Sequence, residues 1–325
     1  MKLACGVVFL ASCLVSQAAQ SAETFLEAPG PHGPLKATLL APDAGSGRKA
    51  PAVLIIPGSG PTDRDGNNPL GVKAAAYRLL AEALAQRGLS TVRIDKRGMF
   101  ASAAAIPDGN NVTINDYATD VHAWVNVIKA KTGAPCVWAL GHSEGGLVAL
   151  AAAQNPEGLC GLILVSTAGR ALGEVLRGQL RANPANAPLL ADADSAISKL
   201  ERGGHVDVSS MHPALQGLFA PAVQGFLISN MSLDPAALLK AYRGPVLIIQ
   251  GDKDLQVGVE DAQRLGQANA SAKVVVLPDV NHVLKAVSSS ARSANLAAYA
   301  DPGLPIAPGI ADAIVDFVQS AARRP

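Results

Sequence analysis

Charge is scarce in this sequence. Asp, Glu, Lys and Arg make up 16% of its 325 residues, whereas soluble domains usually carry roughly 25%. The formal net charge is +1, which provides no field that would attract nucleic acid or an anionic membrane. Aromatic residues, at 4%, form no surface in which they are interleaved with basic residues. We therefore expect no nucleic-acid partner and a small, uncharged or weakly charged ligand.

Cofactor signatures are missing as well. The sequence has no glycine-rich phosphate loop of the P-loop type and no Cys/His cluster at zinc-ligand spacing. It also has no internal repeat and no low-complexity tract. We expect neither a metal ion nor an organic cofactor, and the pattern makes no prediction of oligomeric state.

Cysteine is rare, and two of the four cysteines, Cys5 and Cys13, lie in the N-terminal segment. There, a mostly apolar run from Leu3 to Val15 is too short for a stable membrane span and is followed by small polar residues. This layout predicts a signal peptide over residues 1–22, and therefore a periplasmic or secreted protein. Small residues allow cleavage after Ala18, after Ser21 or, less typically, after Ala22.

A lipoprotein signal is the second interpretation of the same segment. Leu10-Ala-Ser-Cys13 resembles a lipobox, in which Cys13 would become the lipidated first residue. We favour ordinary cleavage, because the segment before Cys13 is very short and apolar residues continue beyond it. A lipid anchor at Cys13 stays the less favoured alternative.

The other two cysteines, Cys136 and Cys160, each stand just before a predicted strand. If these strands are parallel neighbours, both cysteines lie at the same end of the sheet. Disulfides persist in oxidising compartments, so we predict a bond between Cys136 and Cys160. The alternative is a pair of buried free thiols.

Apolar strands and amphipathic helices alternate through most of the chain after the signal peptide. The pattern predicts one α/β domain over residues 23–325, with a mainly parallel, eight-stranded sheet flanked by helices. Residues 170–242 interrupt the alternation, because they contain helical segments and proline breaks but no convincing strand. We interpret residues 170–242 as an inserted helical cap.

The most informative stretch is Gly141-His-Ser-Glu-Gly145, which follows an apolar strand and precedes an Ala/Leu-rich helix. A serine on a sharp strand-to-helix turn has a strained backbone, and small flanking glycines let strand and helix close around it. Its hydroxyl then stands clear of the sheet, so Ser143 is the candidate nucleophile. The alternative is an ordinary helix N-cap serine at a glycine-rich junction.

A serine hydroxyl needs a base that takes its proton and a carboxylate that orients this base. Downstream of Ser143, the last two predicted strands end in loops that carry first Asp252 and Asp254 and then His282. His282 is the candidate base. We prefer Asp254 as its partner, because its place in the loop brings a carboxylate over the strand end, whereas Asp252 is expected to brace the turn. Asp279 is the third candidate, since it is too close in sequence to reach behind the imidazole easily.

Five motifs follow one another at the ends of successive strands. They are Pro57-Gly-Ser-Gly60, Asp95-Lys-Arg-Gly98, Gly141-His-Ser-Glu-Gly145, Gly251-Asp-Lys-Asp254 and Asn281-His282. With them the chain resembles the α/β-hydrolase superfamily, on its esterase and serine-aminopeptidase-like side, over essentially everything after the signal peptide. The resemblance implies a Ser143, Asp254 and His282 triad. It also implies an oxyanion hole made by the backbone N–H groups of Ser59 and Glu144.

By this resemblance, the chain is expected to be a serine hydrolase that cleaves carboxylic esters through an acyl-enzyme intermediate. The small, Ala/Leu-rich residues of the cap favour short or medium acyl groups. A peptidase, amidase or thioesterase would use the same triad. A noncatalytic binding protein with this fold is the remaining alternative, which the presence of all three triad residues disfavours.

Three further polar residues need an interpretation. Arg64 lies between Asp63 and Asp65, where it either meets a substrate carboxylate or is locked between these aspartates and braces the loop; we favour bracing. Arg97 is interpreted as a structural brace too. His142 is not expected to be the base, because a side chain next to the nucleophile on a tight turn points elsewhere.

Overall fold

Eight strands form a single sheet in the computed structural model, which describes residues 23–42, 50–289 and 291–321. In spatial order the sheet runs β1, β2, β4, β3, β5, β6, β7 and β8. The pairings of β2 with β1 and β4 are antiparallel, and all others are parallel. The predicted mainly parallel, eight-stranded sheet is therefore confirmed. The strands are β1 Glu23–Ala28, β2 Leu35–Leu40, β3 Ala52–Ile56, β4 Ser90–Ile94, β5 Val137–His142, β6 Leu159–Val165, β7 Val246–Gly251 and β8 Lys273–Leu277.

Helices cover both faces of the sheet. They are α1 Ala76–Ala85, α2 Ile114–Thr132, α3 Glu144–Ala152, α4 Leu172–Arg181, α5 Leu190–Glu201, α6 Pro213–Leu218, α7 Gln224–Met231, α8 Pro235–Ala241, α9 Val259–Ala268, α10 Arg292–Ala297 and α11 Ile310–Ala321. Short 3-10 helices occupy Phe100–Ala105, Pro184–Leu189, Pro221–Val223 and Ala298–Ala300. One apolar core lies between the sheet and α2, α3 and α9, and a second lies between the sheet and α1 and α11.

The central strands are buried on both faces, which explains their continuous apolar sequences. Every residue of β3, β4, β5 and β7 is buried, including the polar ones. Parallel strands that carry helices on both sides need apolar side chains in both directions. The carboxyl ends of these strands are thereby the part of the sheet where polar loops can gather into a site.

Helix α1 is shorter than the sequence pattern predicts. The pattern indicates helix from Val72 to Arg87, whereas α1 begins at Ala76. Residues before it are held as a loop, because Asn68 forms a β-bridge with Val72 and the Asn67 side chain accepts a hydrogen bond from the Ala75 N–H. Local polar contacts thus outweigh the apolar periodicity in this stretch.

Between β6 and β7 the structure contains five α-helices, α4 to α8, and two 3-10 helices. These helices have a small apolar cluster of their own, in which Ile197, Leu200 and Phe219 are fully buried. That residues 170–242 act as a cap over the site stays a prediction. The predicted signal peptide, with Cys5 and Cys13, lies outside the described residues. Within those residues, no helix combines the length and the apolar character needed to cross a membrane.

A disulfide joins Cys136 to Cys160, as predicted, with Cα atoms 5.1 Å apart. The two cysteines meet because β5 and β6 are parallel neighbours and Val137 pairs with Leu159. Cys160 lies inside β6, one residue beyond the strand start, and does not precede the strand as the sequence suggests. The bond closes a loop of 24 residues in sequence separation that contains the whole of α3.

We predict that the double variant Cys136→Ala/Cys160→Ala unfolds more easily than the parent, by about 3–4 kcal/mol, because the open chain recovers loop entropy. Urea unfolding without reductant measures the difference. Reduction of the parent should shift its unfolding curve toward that of the variant and leave the variant unchanged. Coincident curves for oxidised parent and variant would contradict a stabilising bond.

Candidate active site

The turn between β5 and α3 holds Ser143 in a backbone conformation that few residues adopt. Its φ is 55° and its ψ is −122°, outside the regions open to most L-residues. Such strain persists only where the surroundings over-determine the chain. A Cβ added to Gly141 would overlap the backbone of Gly145, and one added to Gly145 would overlap that of Ile56. The glycines of the motif are therefore required for β5 and α3 to close around the serine.

The hydroxyl of Ser143 does not cap the helix that follows it. Ser143 is the N-cap residue of α3 by position, yet its side chain accepts no hydrogen bond from the first turn of the helix. Its side of the turn opens on two cavities. The alternative of an ordinary N-cap serine is thus excluded, and the hydroxyl is available to a ligand.

His282 and Asp254 meet at the carboxyl end of the sheet, on the loops after β8 and β7. His282 Nδ1 lies 2.8 Å from Asp254 Oδ2. The other oxygen, Oδ1, accepts hydrogen bonds from the N–H groups of Gln256 at 2.8 Å and Val257 at 3.0 Å. The Asp254 side chain has no solvent exposure and that of His282 is 7% exposed, so the pair is held in a fixed orientation.

The surroundings of Asp254 favour its charged form. Burial alone would raise the pKa of this carboxyl, but the charge of His282 and the hydrogen bonds from His282, Val257 and Gln256 together bring the pKa below its ordinary value. An ionised Asp254 accepts the Nδ1 proton of His282, which leaves Nε2 of that ring free to take a proton from elsewhere.

Asp252 and Asp279, the other two candidate carboxylates, join two loops instead of contacting His282. Asp252 Oδ1 accepts a hydrogen bond of 2.7 Å from the Asp279 N–H, which ties the loop after β7 to the loop after β8. Asp252 therefore braces the turn, and Asp279 contributes backbone to the same contact. Of the three aspartates weighed from the sequence, the structure brings Asp254 against the imidazole.

The two proposed oxyanion donors belong to residues that line the same cavity as Ser143. Glu144 is the first residue of α3, so its N–H has no partner inside the helix. Ser59 follows β3 and lines both cavities together with Ser143. Ser143 and the two residues that carry these N–H groups thus border one cavity, where a carbonyl oxygen that gains negative charge needs such donors.

The peptide group of Ser59 is oriented by a buried lysine that the sequence analysis missed. Lys96 Nζ donates to the Gly58 carbonyl at 2.7 Å and lies 3.4 Å from Glu144 Oε1. Because a peptide bond is planar and trans, fixing the Gly58 carbonyl also fixes the Ser59 N–H on the opposite side. Burial lowers the pKa of the Lys96 ammonium, and Glu144 partly offsets this effect. The position of Lys96 directly after a buried strand, β4 beside β3, was the available signal.

His142 and Tyr77 are the other residues that the sequence did not reveal. His142 Nε2 lies 2.8 Å from the backbone oxygen of His282, and its Nδ1 lies 2.8 Å from the Tyr77 hydroxyl. Both side chains are buried. Both ring nitrogens of His142 are engaged by Tyr77 and the His282 backbone, which agrees with the expectation that it is not the base.

Arg64 braces its loop, but the partners expected from the sequence are wrong. Its guanidinium contacts Asp95 through Nε and Nη2, at 3.0 and 2.5 Å, and Thr38 through Nη1 at 3.0 Å. The flanking Asp63 accepts hydrogen bonds from backbone N–H groups, including that of Asp65 two residues on, as aspartates in turns often do. Asp65 itself pairs with Arg93. Arg64 lines neither cavity beside Ser143.

Arg97 is also a brace. It donates two hydrogen bonds to the Asp120 carboxylate, at 2.7 and 2.6 Å, and two to Asp116, one to the carboxylate at 3.1 Å and one to the backbone oxygen at 2.9 Å. Both aspartates belong to α2, so Arg97 ties the loop after β4 to that helix. Among the described residues, no cluster of His, Cys, Asp and Glu has the size that a metal site needs.

Two cavities adjoin Ser143. The first, of about 190 Å³, extends toward α4, where Leu172, Val175 and Leu176 line it, and its wall also includes polar side chains, among them Arg170 and Gln179. The second, of about 140 Å³, lies under the loop after β3 and is lined by His282, Tyr77 and Tyr299, among others. We refer to them as the cap-side cavity and the loop-side cavity. His282 lines the loop-side cavity and is absent from the cap-side one.

The chain also matches a known protein family. The sequence profile described as the alpha/beta hydrolase family matches residues 53–298. That range includes all of the candidate site residues, from Ser59 to His282. Esterase EstD of Thermotoga maritima is 26% identical over 241 residues, which cover 72% of this chain and 54% of EstD. The chain thus spans about half the length of that relative.

Solved structures show the same fold at low identity. Est1E of Butyrivibrio proteoclasticus has a TM-score of 0.57 and 17% identity, with 92% of this chain and 99% of Est1E covered. A puromycin-hydrolyzing peptidase of Mycobacterium tuberculosis has a TM-score of 0.54 and 18% identity, with 83% of this chain and 37% of the peptidase covered. At these identities the likeness concerns the fold and does not distinguish one substrate from another.

Proposed function

Because the chain belongs to the alpha/beta hydrolase family, we propose that it is a serine hydrolase that cleaves carboxylic esters through an acyl-enzyme intermediate. One observation carries the proposal: the 2.8 Å contact of His282 Nδ1 with Asp254 Oδ2, beside a serine held on a strained strand-to-helix turn. The esterase relative at 26% identity supports ester over amide substrates.

In the first half of the reaction, Ser143 attacks the ester carbonyl while His282 Nε2 takes its proton. Asp254 stabilises the imidazolium that forms. The N–H groups of Ser59 and Glu144 donate to the carbonyl oxygen as it becomes negative, which lowers the barrier because these groups are already oriented. His282 then passes the proton to the leaving alcohol, and the acyl group stays on Ser143.

In the second half, water replaces the alcohol. His282 takes a proton from the water, which attacks the acyl-enzyme, and the same two N–H groups stabilise the second oxyanion. Ser143 receives its proton back from His282 as the carboxylic acid leaves. The protons balance, since the imidazole passes the proton of Ser143 to the alcohol and the proton of water to Ser143.

The position of His282 supports a proposal for which cavity holds which part of the ester. The leaving alcohol must receive a proton from His282, which lines the loop-side cavity alone of the two. The alcohol therefore occupies the loop-side cavity and the acyl chain the cap-side cavity. The leucine and valine side chains in the mixed wall of the cap-side cavity, and its volume of about 190 Å³, support a short or medium acyl chain.

Substitution of the triad should abolish ester hydrolysis. For Ser143→Ala we expect kcat with p-nitrophenyl butyrate to fall by about 10⁴-fold or more, because no nucleophile remains. For Asp254→Asn we expect a fall of about 10⁴-fold, because the amide cannot hold the imidazole in the required tautomer. Steady-state kinetics and labelling by a serine-directed phosphonate, followed by intact mass, measure both effects.

Asp252→Asn is the matched control for the acid. It makes the same chemical change two residues away, and its side-chain oxygen can still accept from the Asp279 N–H. We expect its kcat to stay within about threefold of the parent, as for a surface substitution. Activity of Ser143→Ala near the parent's would exclude the mechanism. Labelling of Ser143 without ester turnover, but with amide turnover, would make the protein a peptidase or amidase.

Filling the cap-side cavity should shorten the acyl chains that are accepted. For Leu176→Trp we expect kcat/KM for p-nitrophenyl octanoate to fall by about tenfold or more relative to acetate, because the larger ring occupies space that the chain needs. Val72→Phe, on the wall of the loop-side cavity, should leave the octanoate-to-acetate ratio within about twofold. An unchanged ratio in Leu176→Trp, or an equal change in both variants, would contradict the assignment.

We also propose that the protein works outside the cytoplasm, in the periplasm or as a secreted protein. The Cys136–Cys160 disulfide supports this location, since reducing compartments disfavour such bonds. Fractionation of cells that express the full-length chain, with thiol trapping, tests it. We expect the oxidised protein in the periplasm or the medium, and recovery from the cytosol with both thiols free would refute the proposal.

A further inference from the structure

Three hydrogen bonds connect the loop after β3 with the backbone of His282. The Gly58 N–H donates to the Tyr77 hydroxyl at 3.0 Å. That hydroxyl lies 2.8 Å from His142 Nδ1, and His142 Nε2 lies 2.8 Å from the His282 carbonyl oxygen. Tyr77 and His142 are at most 6% exposed, and His282 is buried as well. Parts of the chain that are far apart in sequence are therefore joined without intervening solvent.

The His282 carbonyl, at one end of this series of bonds, determines which atom is the donor in each of them. A carbonyl oxygen can only accept, so His142 Nε2 carries a proton and donates to His282. In a neutral imidazole Nδ1 is then the acceptor, so the Tyr77 hydroxyl donates to it. The Gly58 N–H can only donate, so the Tyr77 oxygen accepts from it. All three bonds can form together in this arrangement, and we call it the Tyr77–His142 relay.

The relay requires a neutral His142, and its surroundings provide for this. Burial and, to a smaller extent, the neighbouring His282 lower the pKa of His142 to about 3, against opposing contributions from the His282 carbonyl and Asp254. Its ring packs edge-on against Tyr77, with centroids 5.4 Å apart, and tilted against His282, at 4.8 Å. A protonated His142 would have no acceptor for Tyr77, so the relay exists only with the neutral ring.

Both ends of the relay lie at groups that the proposed reaction uses. At one end, Gly58 precedes Ser59, whose N–H is an oxyanion donor, and Lys96 holds the Gly58 carbonyl at 2.7 Å. Tyr77 and Lys96 thus hold the two peptide groups of Gly58, one through its N–H and one through its carbonyl. At the other end, His142 holds the backbone of the general base.

We propose that Tyr77 and His142 are positioning residues that set the oxyanion loop and the His282 loop in register with each other. This inference rests on the proposed function, in which Ser59 and His282 act on the same carbonyl carbon. Neither Tyr77 nor His142 exchanges a proton with substrate. Their contribution is to keep a donor and a base, which belong to different loops, at a constant separation during both halves of the reaction.

Tyr77→Phe removes one hydroxyl and breaks the relay at its centre. We expect kcat for p-nitrophenyl butyrate to fall about 10- to 100-fold, as for a small displacement of catalytic groups, with KM within about threefold. His142→Leu should give a similar loss. His142→Gln keeps one acceptor and one donor, so its kcat should recover by about tenfold over His142→Leu. Tyr242→Phe, at a buried tyrosine that lines neither cavity, is the control and should stay within about twofold.

The double variant Tyr77→Phe/His142→Leu distinguishes one relay from two separate structural roles. A relay can be broken once, so the double variant should lose no more activity than the worse single variant. Losses that multiply would overturn the proposal, as would a Tyr77→Phe variant with kcat within twofold of the parent, or a His142→Gln variant no better than His142→Leu.

The tautomer of His142 can be measured in the parent protein, so this test does not depend on whether the variants fold. NMR of 15N-histidine-labelled protein should show His142 as the neutral Nε2–H tautomer from pH 5 to 9, identified by the loss of its signal in His142→Gln. The Nδ1–H tautomer, or titration near pH 6.5, would overturn the relay whatever the activity. Ser143→Ala should keep this tautomer, so failure of the proposed reaction and failure of the relay are separate results.

Discussion

The left-handed backbone of Ser143 is the constraint on which the rest of the site depends. A residue other than glycine is strained at a φ of 55° and a ψ of −122°, and it keeps this conformation only where the surrounding packing fixes the backbone. Here β5 is paired on both sides within the sheet, and α3 packs so closely that Gly145 admits no methyl group against Ile56. Burial of the two apolar faces of the sheet thus stabilises the strained turn that holds the Ser143 hydroxyl at the carboxyl end of β5. The disulfide at the opposite end of β5 ties this strand to β6 as well.

The same packing requires that the polar groups beneath the site have partners. Lys96, His142 and Asp254 are buried or nearly so, and each is satisfied by a backbone group or by a charge of the site. A buried polar group that lost its partner would destabilise the fold by roughly 1–3 kcal/mol, more if charged. Stability and geometry are therefore linked in this region: the bonds that satisfy buried groups are also those that orient Ser59 and His282.

Electrostatics gives two of these buried groups different charge states. Asp254 stays ionised because it receives several hydrogen bonds, whereas His142 stays neutral because burial and the neighbouring His282 disfavour its charge. Two histidines whose rings are 4.8 Å apart thereby have different tasks. One faces a carboxylate and the cavity, and the other faces a carbonyl and a hydroxyl.

The sequence by itself determined the sheet, the strained serine and the order of Ser143, Asp254 and His282, because these follow from periodicity and from motifs a few residues long. It also placed Cys136 and Cys160 at the same end of neighbouring strands. It did not reveal the partners of Arg64, Lys96, Tyr77 and His142, and it made α1 too long. Those contacts join residues 19 to 140 positions apart, and each side chain had several partners of equal chemistry within reach of its sequence pattern. Only the tertiary structure decided among them, because which acceptor a buried donor reaches depends on how strands and loops pack in space.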